Sequence, residues 1–186
     1  MMKLLIVFII LQRVVEMFIA RRNEKWLKNQ GGIEIGQAHY RYMIIIHVLF
    51  FVSLVTEIVR ANSSIHPIWP LILVLFLLTQ LGRVWVIYSL GRHWNTKIIV
   101  IPEVQVVRKG PYRFLKHPNY VIVTLELMII PLLYEAYITG LIFTILNIWI
   151  LSIRIPAEEK ALHSLTEYEK VFMGQNRFLP SFLKKV

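Results

Sequence analysis

The chain has 186 residues, 56% of them hydrophobic, with mean hydropathy +0.59 and a formal net charge of +10. Several apolar runs approach or exceed about 18 residues, so the composition excludes an ordinary soluble domain and reads as one integral membrane domain over residues 1–186. The absence of cysteine excludes disulfides, thiolate nucleophiles, Cys-ligated zinc and self-prenylation. The Lys and Arg flank apolar spans without forming a stripe with interleaved aromatics, which indicates membrane lipid headgroups and no nucleic acid partner.

Met1 to Leu11 imitates a secretory leader, but Gln12, Arg13 and Glu16 follow where a small-residue cleavage site belongs, so it reads as a retained first helix. That helix is expected from about Leu4 to Ala20, with Arg13 and Glu16 three apart on one face and able to pair. A basic segment with Gly31, Gly32 and Gly36 as turn signals leads to a second helix over about Tyr42 to Val59. A loop from Arg60 to Pro67, carrying Asn62-Ser63-Ser64, precedes a third helix over about Ile68 to Leu90. The stretch GRHWNTKIIVIPEVQVVRKGPYRFLKHP reads as a long loop. A fourth helix, Tyr120 to Tyr134, broken near Pro131, and a fifth, about Tyr137 to Ile153, form a tight antiparallel hairpin. Pro156 ends or kinks helix five, and an amphipathic helix from about Ala157 to Phe172 leads into the tail GQNRFLPSFLKKV. The expected fold is all-α, a polytopic membrane protein with five transmembrane helices and a cytoplasmic C-terminal amphipathic helix.

Seventeen of the twenty-one Lys and Arg fall in three segments, Arg21 to Arg41, Arg92 to Lys116 and Arg154 onward. The positive-inside rule then puts the N-terminus outside and the C-terminus in the cytoplasm. Counted at about 1.5 Å per residue from the cytoplasmic helix ends, Arg13, Glu16, His47, Arg83, Glu126 and Asn147 lie roughly 6 to 11 Å deep, whereas Glu57 lies toward the outside. Such groups are costly in hydrocarbon unless paired or beside a wet cavity. Two readings are open: a polar pocket facing the cytoplasm, or buried pairs such as Arg13–Glu16 that hold helices together.

Lys109 to Tyr120 reads KGPYRFLKHPNY. Gly110-Pro111 fixes a turn, and Pro118 suits the first position of the next helix, where its missing N–H costs nothing. His117 then stands near the N-cap, beside free backbone donors and the positive end of the helix dipole, where a carboxylate or other anion can bind. A basic loop that only sets topology accounts for the spacing as well. In RIPAEEKALHSLTEYEK, Arg154 and Glu158 are four apart and can join across Pro156. Glu158 and Glu159 also sit in a first helical turn, where acidic residues favour the dipole whatever their function. The six histidines make no convincing metal site: His39 and His47 are eight apart, about 80° away from each other around a helix, and the chain has no Asp. There is no P-loop, no GxGxxG after a strand and no GxSxG elbow.

GPYRFLKHPNY before a helical hairpin, then RIPAEEKAL and a closing NRFLP, resembles the isoprenylcysteine carboxyl methyltransferase family over about Leu90 to Pro180. That family also holds bacterial and phospholipid methyltransferases. Upstream, QRVVEMFIARRNEKWLKNQGGIEIGQAHY and GRHWNTKIIVIP resemble a bacterial branch that O-methylates alkylpyrones and alkylresorcinols. Lys116 stands where the family usually has Arg, a point charge in place of a planar fork. The resemblance implies an S-adenosylmethionine-dependent methyltransferase of a bacterial plasma membrane, with its cofactor-binding core over about residues 90–180 and a lipophilic acceptor entering sideways from the bilayer. By motif, Tyr112, His117, Pro118, Asn119 and Tyr120 line the cofactor site, Glu158 or Glu159 faces the cofactor ammonium group, and Arg154 sits between cofactor and acceptor. Arg154 and Glu158 are the expected catalytic residues; His47, Glu126 and Asn147 are expected with Arg154 around the acceptor. An anionic oxygen needs no strong general base, so rate would come from alignment and from excluding water. Phospholipid or prenylcysteine methylation is the alternative on the same scaffold. A sterol-reductase-like core using NADPH and a non-enzymatic helical packing partner are the remaining readings.

Overall fold

No glycine or proline falls between Met2 and Asn29, and helix α1 occupies that whole stretch (Met2–Asn29). It stops where Gly31 takes φ +81° and Gly32 N–H bonds back to Leu27 O at 2.9 Å, a left-handed ending that glycine adopts without strain. The expected end at Ala20 is corrected for a physical reason: apolar content marks what hydrocarbon can hold, while residues 21–29 are competent helix formers with no breaker among them. The computed structural model describes residues 2–60 and 66–178. The Asn62-Ser63-Ser64 loop and the closing Leu179-Pro180 lie outside the described residues.

The other long helices are α2 (Gln37–Arg60), α3 (Trp69–Leu90), α4 (Pro118–Leu133) and α5 (Tyr137–Leu165). Of these, α2, α3 and α5 are long and apolar enough to cross a membrane, and α4 is a shorter apolar helix. Ile9, Phe50, Leu54, Ile72, Phe76, Leu127, Phe143 and Ile150 belong to the main buried cluster. Leu78 and Trp85 on α3 and Ile145 and Trp149 on α5 point outward and remain exposed. Helices apolar on both faces suit lipid outside and packing inside, where close contact and not water exclusion holds them together.

Residues 134–136 join α4 to α5, and the two pack as the expected hairpin. Pro131 lies inside α4 without ending it, and Pro156 lies inside α5, which continues to Leu165. The separate amphipathic helix expected from Ala157 to Phe172 is therefore the last part of α5, followed by the short α6 (Tyr168–Phe172). A mid-helix proline forfeits a backbone hydrogen bond; here Leu151, Arg154, Ile155 and Ala161, all buried, hold the helix on both sides of it.

The all-α reading is corrected by one small ribbon. Strand β1 (Ile33–Ile35) pairs antiparallel with β2 (Ile98–Val100), Ile33 opposite Val100 and Ile35 opposite Ile98. Strand β2 is a β-branched run and β1 sets Glu34 between two isoleucines, both beside turn residues, a signal masked by the polarity of the surrounding loops. Ion pairs fasten the ribbon: Lys28 reaches Glu24 and Glu34 at 2.6 and 2.8 Å, and Lys97 reaches the same two at 2.8 and 3.2 Å.

Candidate active site

The one-turn helix Gly110–Arg113 lies against the end of α3. Gly110 has φ +54°, and a Cβ there would stand 2.0 Å from Ser89 Oγ, so only glycine lets this segment close down. Tyr112 is buried beneath it, and Pro118 opens α4 at the first helical position.

His117, the N-cap residue, does not cap α4 with its own side chain. Its ring crosses to α5, where Nε2 donates to Glu159 Oε1 at 3.0 Å, and it stacks on Tyr120 with centroids 5.4 Å apart. Tyr120 OH donates to Glu158 Oε2 at 2.5 Å and accepts from Arg154 Nε at 2.8 Å. Arg154 and Glu158 are thus linked through Tyr120. Arg154 Nη2 donates to Thr96 O at 2.6 Å, and Nη1 is buried with no partner among the described residues.

The tail returns to this region. Lys116 N and His117 N donate to Asn176 O and Arg177 O at 3.0 and 3.2 Å, and Gln175 Nε2 donates to Tyr112 O at 3.1 Å. Arg177 holds Glu159 through Nε at 2.9 Å and Nη2 at 2.5 Å. Burial, and then the Glu158 charge, pushes the Tyr112 phenol up. Burial, followed by Glu159 and Glu158, does the same to Tyr168. Both phenols therefore stay protonated at neutral pH, and the buried Tyr168 hydroxyl has no partner among the described residues.

Tyr112, His117, Asn119, Tyr120, Arg154 and Glu158 line one end of a cavity of about 680 Å³, within the range of small-ligand sites. Pro118 and Glu159 are not in its wall; Glu159 faces a separate hollow beside Arg177. The cavity continues past Met43, Val123 and Leu151 to Arg13, His47, Arg83 and Asn147, then to Ile10, Val48, Phe51 and Val52. Ile10, Val48 and Val52 are also exposed on the outside of the bundle, so this apolar end opens sideways.

Glu126, expected around the acceptor, lies outside the wall as the hub of a buried ion cluster. It accepts from Arg13 Nη2 at 2.7 Å, Gln80 Nε2 at 2.8 Å and Arg83 Nε at 2.9 Å, and also from Arg83 Nη2. Glu16 accepts from Arg13 Nη1 at 2.7 Å and Arg83 Nη1 at 3.2 Å. The Arg13–Glu16 pair is formed, but within a neutral set of two arginines and two glutamates, an arrangement that lets charge persist in an apolar bundle. The ion cluster and the cavity adjoin, so buried pairs and a partly polar pocket occur side by side. Trp94, Thr96, Tyr40 and Tyr168 also line the cavity and were not singled out from sequence; the signal was the place of Trp94 and Thr96 in GRHWNTK, of Tyr40 in QAHY and of Tyr168 in RIPAEEKALHSLTEYEK.

Apolar helices around a cavity that is polar at the start of α4 and open to hydrocarbon at its other end define a membrane protein with room for an amphiphile. Residues 71–164 match the isoprenylcysteine carboxyl methyltransferase family, and the chain belongs to that family, whose members are membrane methyltransferases. It is similar to the Bacillus subtilis strain 168 protein named "Uncharacterized protein YpbQ", 50% identical over 159 residues that cover 86% of this chain and 95% of that protein. It is also similar to an "Uncharacterized protein" of Haemophilus influenzae, 30% identical over 154 residues that cover 82% of this chain and 90% of that protein.

Proposed function

We propose that this chain is an S-adenosylmethionine-dependent O-methyltransferase whose acceptor is a lipophilic anion of the alkylpyrone or alkylresorcinol type. The observation that carries the reading is the continuity of one cavity from the Tyr120–Arg154–Glu158 cluster to an apolar mouth on the outside of the bundle. The residues present suit such a cofactor. It carries positive centres and a carboxylate, and this end of the cavity has Glu158 in its wall, an α4 N-terminus that His117 does not cap, and buried atoms at Arg154 Nη1 and Asn119 Oδ1 with no partner among the described residues.

When bound, the cofactor supplies an electrophilic methyl group. Glu158 and the first turn of α4 hold its amino-acid end, with Tyr112 and Asn119 beside them. Arg154, fixed by Tyr120 and Thr96, holds the acceptor oxygen as an anion and aligns it. Val106, Leu162 and Phe172, which line the same region, keep water from that oxygen. Glu159, held by His117 and Arg177, positions the tail against α4 and does not touch ligand.

The same reading takes the apolar part of α1 with α2, α3, α4 and α5 as five spans, in a bacterial plasma membrane with the N-terminus outside and the C-terminus cytoplasmic. The distribution of Lys and Arg supports that orientation. Membranes incubated with methyl-labelled S-adenosylmethionine and extracted for lipid test the acceptor. Label in a neutral long-chain ring ether supports the proposal; label confined to phospholipid or to prenylated peptide replaces it with the alternative acceptors, and no labelled lipid contradicts it.

A further inference from the structure

The cavity has two polar levels. At the first are Tyr40, Thr96, Tyr120, Arg154 and Glu158. The second holds Arg13, His47, Arg83 and Asn147. Tyr40 and His47 are seven residues apart on α2, and Arg154 and Asn147 are seven apart on α5, which sets the levels about 10 Å apart along the helices. Met43, Val123 and Leu151 line the cavity between them.

The levels differ in the hydrogen-bonding groups they leave open, the first keeping donors beside the Glu158 and Asn119 oxygens and the second keeping acceptors. At the first, Arg154 Nη1 and Trp94 Nε1 are buried donors with no partner among the described residues. At the second, Arg13 and Arg83 are committed to Glu16 and Glu126, and acceptors remain. His47 Nδ1 lies 2.8 Å from Met43 O. A carbonyl only accepts, so the proton is on Nδ1 and the Nε2 of a neutral ring presents a lone pair. Asn147 donates through Nδ2 to Thr124 Oγ1 at 2.9 Å, which leaves Oδ1. Neither Nε2 nor Oδ1 has a hydrogen-bond partner among the described residues, and neither belongs to the buried unpaired atoms. They come from helices that pack directly against each other. A plain hydrocarbon tail passing this level would leave both unsatisfied, which is unfavourable. A charged group would find no free counter-charge.

We propose that the His47–Asn147 level is a second subsite of the acceptor cavity and that it takes a hydroxyl. The acceptor is then an amphiphile carrying a free hydroxyl deeper in the cavity than its methylated oxygen, and not a single-headed lipid. The role of this amphiphile as methyl acceptor rests on the methyltransferase reading; the subsite itself is a binding property.

Purified protein in detergent, with no methyl donor, is titrated with two matched pairs of probes. One pair is an alkylresorcinol and the alkylphenol of equal chain length; the other is a long-chain fatty acid and its mid-chain hydroxy counterpart. In the wild type, at least one hydroxylated member is expected to bind about tenfold more tightly, the factor that one net buried hydrogen bond supports, and the pair that shows it reports the spacing. His47→Leu brings that ratio to about one, and His47→Gln, which keeps an acceptor oxygen, restores part of it. Equal affinities within both pairs in the wild type overturn the proposal, as does a ratio that His47→Leu leaves unmoved, which would mean the hydroxyl is held elsewhere. Titration with S-adenosylhomocysteine runs alongside. Its failure to bind would remove the methyltransferase reading and leave the hydroxyl preference standing, so the two failures are distinct.

Discussion

Two helix N-termini in this bundle are treated in opposite ways. At α5, Glu57 reaches over from α2: Oε1 accepts Ile138 N at 3.1 Å, and Oε2 accepts Thr139 N at 2.8 Å and Thr139 Oγ1 at 2.6 Å. Ser53 Oγ, 2.8 Å from Thr139 Oγ1, completes the contact. At α4, Pro118 removes one donor and no side-chain cap is made by His117. The two nearby carboxylates are turned to side chains instead, Glu158 to Tyr120 and Glu159 to His117 and Arg177. Both ends carry the same kind of partial positive charge. The end remote from the cavity is closed by the protein's own carboxylate, and the end on the cavity has no such side-chain cap; in the function proposed above it takes the carboxylate of the methyl donor.

Removing the cation opposite the open end is expected to have the largest effect. Arg154→Ala should lower methyl transfer by about 100-fold to 1000-fold, the range for losing one donor to a developing or held oxyanion. Its S-adenosylhomocysteine affinity should change by less than about threefold. Unchanged turnover with intact expression would remove Arg154 from the chemistry. Filling the open end comes next: His117→Asp gives α4 a capping carboxylate of its own and should weaken S-adenosylhomocysteine binding about 30-fold relative to His117→Asn, while both variants melt below the wild type because both lose the ring's contacts with Glu159 and Tyr120. Tighter binding would show that the ligand carboxylate lies elsewhere.

Opening the closed end should do the reverse. Glu57→Ala is expected to cost about 1–2 kcal/mol of stability, read as a lower melting temperature in detergent, with ligand affinity held within about twofold. A loss of affinity larger than the loss of stability would show that the α5 end communicates with the cavity. The smallest effect belongs to the ribbon. Burial alone would raise Glu34, but hydrogen bonds from Lys28 and Lys97 outweigh it and hold the carboxyl below its ordinary value near 4.5. A carboxyl depressed in the folded state contributes stability above the unfolded value and loses it as pH falls through the lower folded value. Thermal stability should therefore slope downward below about pH 4.5, and Glu34→Gln should flatten that slope without changing turnover at neutral pH.

Much of this was legible in the sequence wherever the cause was local. Apolar runs marked α2, α3 and α5, Gly110-Pro111 marked the turn, and Pro118 marked the first residue of α4. The end of α1 was misread because polarity was taken as the end of a helix, whereas α1 continues through good helix formers; at Pro156 the proline by itself left ending and kinking open, and α5 runs on through it, held by buried neighbours. The site residues were legible as a motif but not as a geometry. Tyr120 and Arg154 are 34 positions apart and Arg177 and Glu159 are 18 apart, and no helical or strand period records such pairings. Glu126 was placed at the acceptor by its depth alone; depth says nothing about azimuth, and azimuth turned it into the ion cluster with Arg83.

The central claim is that the α4 entrance and Glu158 together hold a methyl donor. Calorimetric titration of the purified wild type and Glu158→Gln with S-adenosylhomocysteine, with NADPH as the control, tests it most directly. Saturable one-site binding to the wild type, at least about tenfold weaker in the variant and absent for NADPH, is the expected result. Equal affinity in both proteins, or binding of NADPH alone, would contradict it.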